Sequence, residues 1–189
     1  VLDEACRQAR AWQDAGHELR VAVNIAVPQV MRQDLPALVS EILARHGLPA
    51  RCLELELTES LLLRDPERGA QVMSQLAGLG VGLAIDDFGT GYSSLAYLKR
   101  LPIDRLKIDR LFVRELPEDS DDCAIVRATL DMASHLRLSV VAEGVETAAQ
   151  AEFLLAHGCG HAQGWRYGKA VPPAEFPLVP VLVVPPDTP

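Results

Sequence analysis

Leu53-Glu54-Leu55-Glu56-Leu57 alternates leucine with glutamate, a period of two that marks a β-strand with one apolar face and one polar face. The same division recurs along the chain. In Arg105-Leu106-Lys107-Ile108-Asp109, Leu106 and Ile108 oppose Lys107 and Asp109. Over 21–27, Val21, Val23 and Ile25 oppose Ala22, Asn24 and Ala26, and Pro28 ends the strand. Val140 and Ala142 oppose Val141 and Glu143. Two further strands are expected over 81–86 and 161–167. Between them the apolar residues shift to helical spacing over 35–46, 67–79, 93–99, 123–136 and 147–157, after a first amphipathic helix carrying Leu2, Cys6, Ala9 and Trp12.

Six strands alternating with helices imply parallel βα units. A strand covered by helices on both sides of an open sheet is apolar on both faces. These strands are not, and their second face turns polar near its C-terminal end. That pattern fits an α/β fold of the TIM type, a (β/α)8 barrel whose lumen opens into a polar site at the C-terminal mouth. Six strands are two short of eight, and 189 residues fall below the roughly 250 typical of the fold. The chain opens inside a helical pattern, so the remaining strands are expected upstream of Val1. The barrel domain is expected to span 1–176, with 177–189 as a proline-rich tail.

Composition narrows the chemistry. The residues are 49% hydrophobic and 23% charged, as in an ordinary globular domain. A formal charge of -8 argues against binding a DNA or RNA polymer, which calls for a basic stripe. It leaves room for a small phosphorylated ligand if a metal ion inverts the local field. Cys6, Cys52, Cys123 and Cys159 are scattered and expected to be reduced, as in the cytoplasm. No apolar run reaches the roughly 20 residues of a membrane span.

The polar strand-end residues are Asn24, Glu56, Asp86, Asp87, Lys107, Asp109, Glu143 and Gln163. Five carboxylates against one lysine leave four uncompensated negative charges at one small mouth, which is costly to bury. Hard divalent cations answer that excess, and an all-oxygen donor set selects Mg²⁺ or Mn²⁺ over zinc. Two such ions roughly 3.5–4 Å apart form the usual clamp for in-line attack on a phosphodiester. Each residue alone has a plainer reading: Glu54 and Glu56 as a solvated strand face, Asn24 as a strand-end cap, Asp86-Asp87 as part of an Asp-Gly turn, Glu143 and Glu146 as first-turn charges of a helix. Lys107 is harder to set aside, being one of three lysines against fifteen arginines and lying between two apolar strand residues. The plain readings fail together, because the positions share one face parity at successive strand ends. His17, His46, His135 and His157 lie on helices or helix ends and read as surface residues, with His161 near the last strand.

Four runs carry a resemblance to a known family: Leu55-Glu56-Leu57-Thr58-Glu59-Ser60, Asp86-Asp87-Phe88-Gly89-Thr90-Gly91-Tyr92-Ser93-Ser94-Leu95, Leu106-Lys107-Ile108-Asp109 and Ala142-Glu143-Gly144-Val145-Glu146-Thr147. Together with Asn24 and Gln163-Gly164 they resemble the bacterial EAL domain, from Val1 to about Phe176. The resemblance implies a TIM-type barrel that hydrolyses the signalling dinucleotide cyclic di-GMP to linear pGpG with two Mg²⁺ or Mn²⁺ ions. It implies metal ligation by Asn24, Glu56, Asp86 and Asp109, with Asp87 at the second metal, and a water-holding Lys107. Glu143 would be the general base or a further metal-side carboxylate. Glu146 and Gln163 would lie near substrate, and Glu59 would steady the loop after Asp87 that couples the metals to dimer contacts. A homodimer and a sensor domain in the same parent chain are expected. Two features depart from the family. The Glu-Ala-Leu run that names it is absent and would lie before Val1. Trp165-Arg166-Tyr167-Gly168-Lys169 replaces the more usual Tyr-Leu-Phe followed by Arg-Pro. The alternatives are a non-cutting cyclic di-GMP receptor and, more distantly, a barrel hydrolase of another phosphoester.

Overall fold

The computed structural model describes residues 1–59, 65–91 and 98–178. Its strands are β1 (Val21–Ile25), β2 (Leu53–Thr58), β3 (Gly82–Phe88), β4 (Arg105–Ile108), β5 (Ser139–Ala142) and β6 (His161–Ala162). They form one parallel sheet in sequential order, so each strand pairs with its neighbours in the chain, and among the described residues β1 and β6 are the edges. Helices α1 (Leu2–Asp14), α2 (Val27–Arg32), α3 (Leu35–His46), α4 (Pro66–Gly78), α5 (Arg110–Val113), α6 (Ser120–Leu136) and α7 (Ala148–Ala156) connect them. Consecutive βα units in this order are those of a TIM-type barrel.

Alternation along the strands decides where the core lies. Leu53, Leu55 and Leu57 are fully buried, packing in one cluster with Val39 and Ile42 of α3 and Val72, Met73 and Leu76 of α4. The helices are bounded by local chemistry. The Asp34 side chain accepts from the Ala37 N–H at the start of α3, and Gly47 closes that helix in the left-handed conformation. Thr147 and Gln150 form a reciprocal cap on α7. All four cysteines are buried free thiols. Among the described residues no helix is long and apolar enough to cross a membrane.

Two expected boundaries shift. The strand expected over 21–27 ends at Ile25, and Val27 begins α2. Proline in a first helical turn loses no intrahelical bond, and the Ala26 N–H is taken by Gln29 Oε1 at 3.0 Å, so Pro28 starts a helix where it was expected only to stop a strand. The strand expected over 161–167 stops at Ala162. Gly164 then turns the chain, with the Tyr167 and Gly168 N–H groups both donating to its carbonyl, at 3.0 and 3.3 Å. The helix expected over 93–99 and the tail beyond 178 lie largely outside the described residues.

Candidate active site

The register stacks the lumen-facing side chains in layers. Asn24 of β1 lies opposite Glu56 of β2, and Thr58 lies opposite Asp86 of β3. Glu143 follows β5 directly, its N–H bonded to the Ile108 carbonyl, and the Gln163 N–H bonds to the Ala142 carbonyl. Strict alternation would send Asp87 to the helix side. It does not go there, because β3 carries one extra residue against β4: Ile85 pairs with Leu106, and Phe88 with Ile108. Such a bulge re-aims side chains. Asp87 takes a left-handed φ of 55°, and carboxylate oxygens of Asp86, Asp87 and Glu143 come within 4.8 Å of one another.

Lys107 stands at the centre, only 4% exposed. Its Nζ lies 2.6 Å from Glu143 Oε1, 2.7 Å from Glu56 Oε2 and 3.0 Å from Asp86 Oδ1. Burial alone would push this ammonium down, but the bonds to Glu143 and Glu56 outweigh it and hold its pKa above the ordinary value. The glutamates move the other way. Burial raises both Glu56 and Glu143, and the pull of Lys107 only partly offsets it. The lysine therefore stays charged, and one positive charge does not satisfy three carboxylates. Burial likewise raises Asp87, reinforced by the adjoining carboxyls of Asp109 and Asp86. The end of the Asn24 amide abuts the same group, 3.0 Å from Asp86 Oδ2 and 3.2 Å from Glu56 Oε2: turned one way its nitrogen donates to both carboxylates, turned the other its oxygen joins them as a donor to a cation.

The family model of the EAL domain matches residues 1–170. This chain belongs to the EAL domain family. It is 51% identical over 177 residues to a bifunctional diguanylate cyclase/cyclic di-GMP phosphodiesterase, MucR of Pseudomonas aeruginosa, covering 93% of this chain and 26% of that protein. It is 47% identical to the cyclic di-GMP phosphodiesterase NbdA of the same organism, covering 93% of this chain and 23% of NbdA. The EAL chain thus spans about a quarter of the length of these curated relatives. Among solved structures, the MucR phosphodiesterase in complex with c-di-GMP superposes with a TM-score of 0.87 at 52% identity, covering 89% of this chain and 69% of that one. A manganese/cy-diGMP complex of Klebsiella pneumoniae BlrP1 gives 0.78 at 30%, covering 87% and 43%.

Within this EAL domain, Asn24, Glu56, Asp86, Asp87, Lys107, Glu143 and Gln163 meet at one mouth, the last through a 2.6 Å bond from Gln163 Nε2 to Glu143 Oε1. Asp109 touches the group through Asp87, while its own Oδ1 accepts from the Leu111 N–H at 2.6 Å and caps α5. Glu146 is exposed on the rim and lies outside the carboxylate cluster found among the described residues. Glu59, just beyond β2, grips the turn after Asp87, its Oε2 accepting from Gly89 at 3.2 Å and from Gly91 at 3.3 Å.

Two further arrangements escape sequence reasoning. One layer below the site, Glu54 is paired with Arg105 at 3.0 Å and Arg20 at 3.2 Å. The signal was present, since Glu54 and Glu56 share a face, as do Arg105 and Lys107. The other is Gln150, 4% exposed. Its Oε1 accepts from the N–H groups of Glu146 and Thr147, and its Nε2 donates to the Arg114 carbonyl at 3.0 Å. The Thr147-x-x-Gln150 spacing marks the cap, but nothing in the sequence marks the bond to Arg114.

Proposed function

We propose that this EAL domain hydrolyses cyclic di-GMP to linear pGpG with two Mg²⁺ or Mn²⁺ ions. The observation that carries this reading is the excess of buried carboxylate oxygen around one lysine. The donor set fits hard cations: it is all oxygen, Asp86, Asp87 and Glu143 have oxygens within 4.8 Å of one another, and the Asn24 amide edge abuts Asp86 and Glu56. Asn24, Glu56, Asp86 and Asp109 would hold one ion, with Asp87 serving the second. When bound, such ions neutralise phosphate charge and make water a competent nucleophile at neutral pH.

The chain's own groups supply the rest. Lys107, fixed by three carboxylates, is a donor that orients the attacking water. Glu143 offers Oε1 to Lys107 and Gln163, and its raised proton affinity suits it to take the proton of that water. The water oxygen bonds to phosphorus, the P–O3′ bond breaks, and O3′ leaves with a proton, giving a 5′-phosphorylated linear dinucleotide. Gln163 and Glu146 line the approach of the substrate. The turn held by Glu59 would couple the metals to homodimer contacts. The domain would be the cytoplasmic output module of a longer, sensor-bearing parent, a reading supported by the length of its relatives.

Incubating the protein with cyclic di-GMP and Mg²⁺ or Mn²⁺ should yield pGpG by chromatography, with no product after chelation. Asp86→Asn should lower turnover on the order of a hundredfold or more while the fold persists. Tight binding without any product would establish the receptor alternative. Asp86→Asn turnover at the parent rate would refute the metal role.

A further inference from the structure

Two glycines flank the mouth, and both give way to one short helix. Gly89 lies two residues after Asp87, and a Cβ there would stand 3.0 Å from Cε2 of Phe112. Gly144 follows Glu143 directly, and a Cβ there would stand 2.5 Å from Cβ of Arg110 and 3.4 Å from its Cα. The two take left-handed φ values of 99° and 68°. Arg110 and Phe112 belong to α5, so this helix touches the chain just past Asp87 on one flank and just past Glu143 on the other. The helix itself has little room to yield. Asp109 caps its start, Val113 is fully buried in the core, and the Arg114 carbonyl is held by Gln150. The turn at Gly89 cannot retreat either, because its N–H is bonded to Glu59 on the side away from Phe112.

Carboxylates that serve one metal centre must keep their places to within about 0.5 Å, and a close-packed support transmits any change in its own size. Resting on the reading of this mouth as a metal centre, we infer that α5 is its spacer: the Phe112 ring and the Arg110 Cβ set how far Asp87 stands from Glu143. Both are positioning residues that act through the backbone of the glycines they touch. A bulkier contact on either flank spreads the two carboxylates, and a smaller one lets them collapse.

Calorimetric titration of the chain with Mn²⁺, below the onset of melting of every variant, tests this. Gly144→Ala should weaken Mn²⁺ binding by about tenfold, as the loss of an outer support of a metal site does. Adding Arg110→Gly removes the opposing Cβ, although residue 144 keeps its left-handed φ and the arginine charge is gone. Affinity should then return to within about threefold of native. From the other flank, Phe112→Ala should also weaken Mn²⁺ binding by about tenfold. Phe112→Leu keeps an apolar contact with the core, should cost about threefold, and carries the test wherever a harsher variant fails to fold. A double variant that binds no tighter than Gly144→Ala would overturn the spacer, placing the loss in backbone strain at residue 144. Native Mn²⁺ affinity in Gly144→Ala and in the Phe112 variants, with lowered melting of the metal-free chain, would overturn it as well, leaving α5 a packing element alone. A native chain that takes up no Mn²⁺ would overturn the metal reading of the mouth itself, and the spacer with it.

Discussion

A buried carboxyl group that shares one ammonium with two others holds its proton more tightly than a free one, and this has a readable consequence. Glu56 and Glu143 both have their pKa raised, chiefly by burial. A carboxyl whose folded pKa lies above its unfolded value stabilises the fold below the unfolded value, ordinarily 4.5 for glutamate. That contribution is lost as pH rises through the raised folded value. Lys107 does not counter the trend near neutrality, since its pKa is raised from 10.5 and it stays charged throughout. The metal-free protein should therefore lose thermal stability as pH rises above the ordinary glutamate value of 4.5 and through the raised folded values. The slope should shrink in Glu143→Gln, and saturating Mg²⁺ should flatten it in the parent by giving the carboxylates a second counter-charge. Thermal melts across that range, with and without chelator, test this. A slope indifferent to both changes would mean that these carboxyls do not govern it.

Among the elements, the loop from β5 to α7 carries both Glu143 and Glu146, and Gln150 is the brace that holds it. One side chain ties the entry of α7 to the end of α5, the helix that Asp109 caps. Gln150→Ala removes two acceptor contacts and one donor contact, and should cost about 1–2 kcal/mol, read in denaturant unfolding. Its KM for cyclic di-GMP should rise more than its kcat falls, because Glu146 on the rim loses its support. An unchanged KM would show that the brace serves the fold alone. Strands and the main helices were legible because alternation and helical spacing survive in β2, β4, β5 and α3, whose bounds fall where the spacing puts them. The ends of β1 and β6 were not, because Pro28 and Gly164 act through backbone geometry that periodicity does not encode. The site followed the same division. Asn24, Glu56, Lys107 and Glu143 were legible from face parity, whereas Asp87 reaches the cluster only through a bulge, and Glu146 stays on the rim.

Over the whole molecule, the polar lumen has two levels with opposite electrostatics. The lower one is closed: Glu54 is 2% exposed and lies between Arg105 and Arg20, and Arg105 also donates to Ser139 Oγ at 3.0 Å. The upper one is over-acidic around Lys107. Glu54→Gln should thus lower stability by about 1.5–3 kcal/mol, the worth of hydrogen bonds to a charged group. The melting shift it causes should be the same with and without Mg²⁺, because the lower level already carries its counter-charges. If Mg²⁺ restored the Glu54→Gln protein selectively, the two levels would be one coupled network.

The bulge that brings Asp87 beside Asp86 also constrains what mutation can reach. A left-handed φ of 55° is tolerated by aspartate, asparagine and glycine and resisted by β-branched residues. Aspartate codons lie a single base change from those of asparagine and glycine. Descendants of this gene therefore have a short route to a domain that keeps the backbone at this position while discarding one acidic group. If the domain cuts the messenger as proposed, conversion to merely sensing it would be genetically near, and substitution by valine, equally near in codon space, would be selected against on backbone grounds alone.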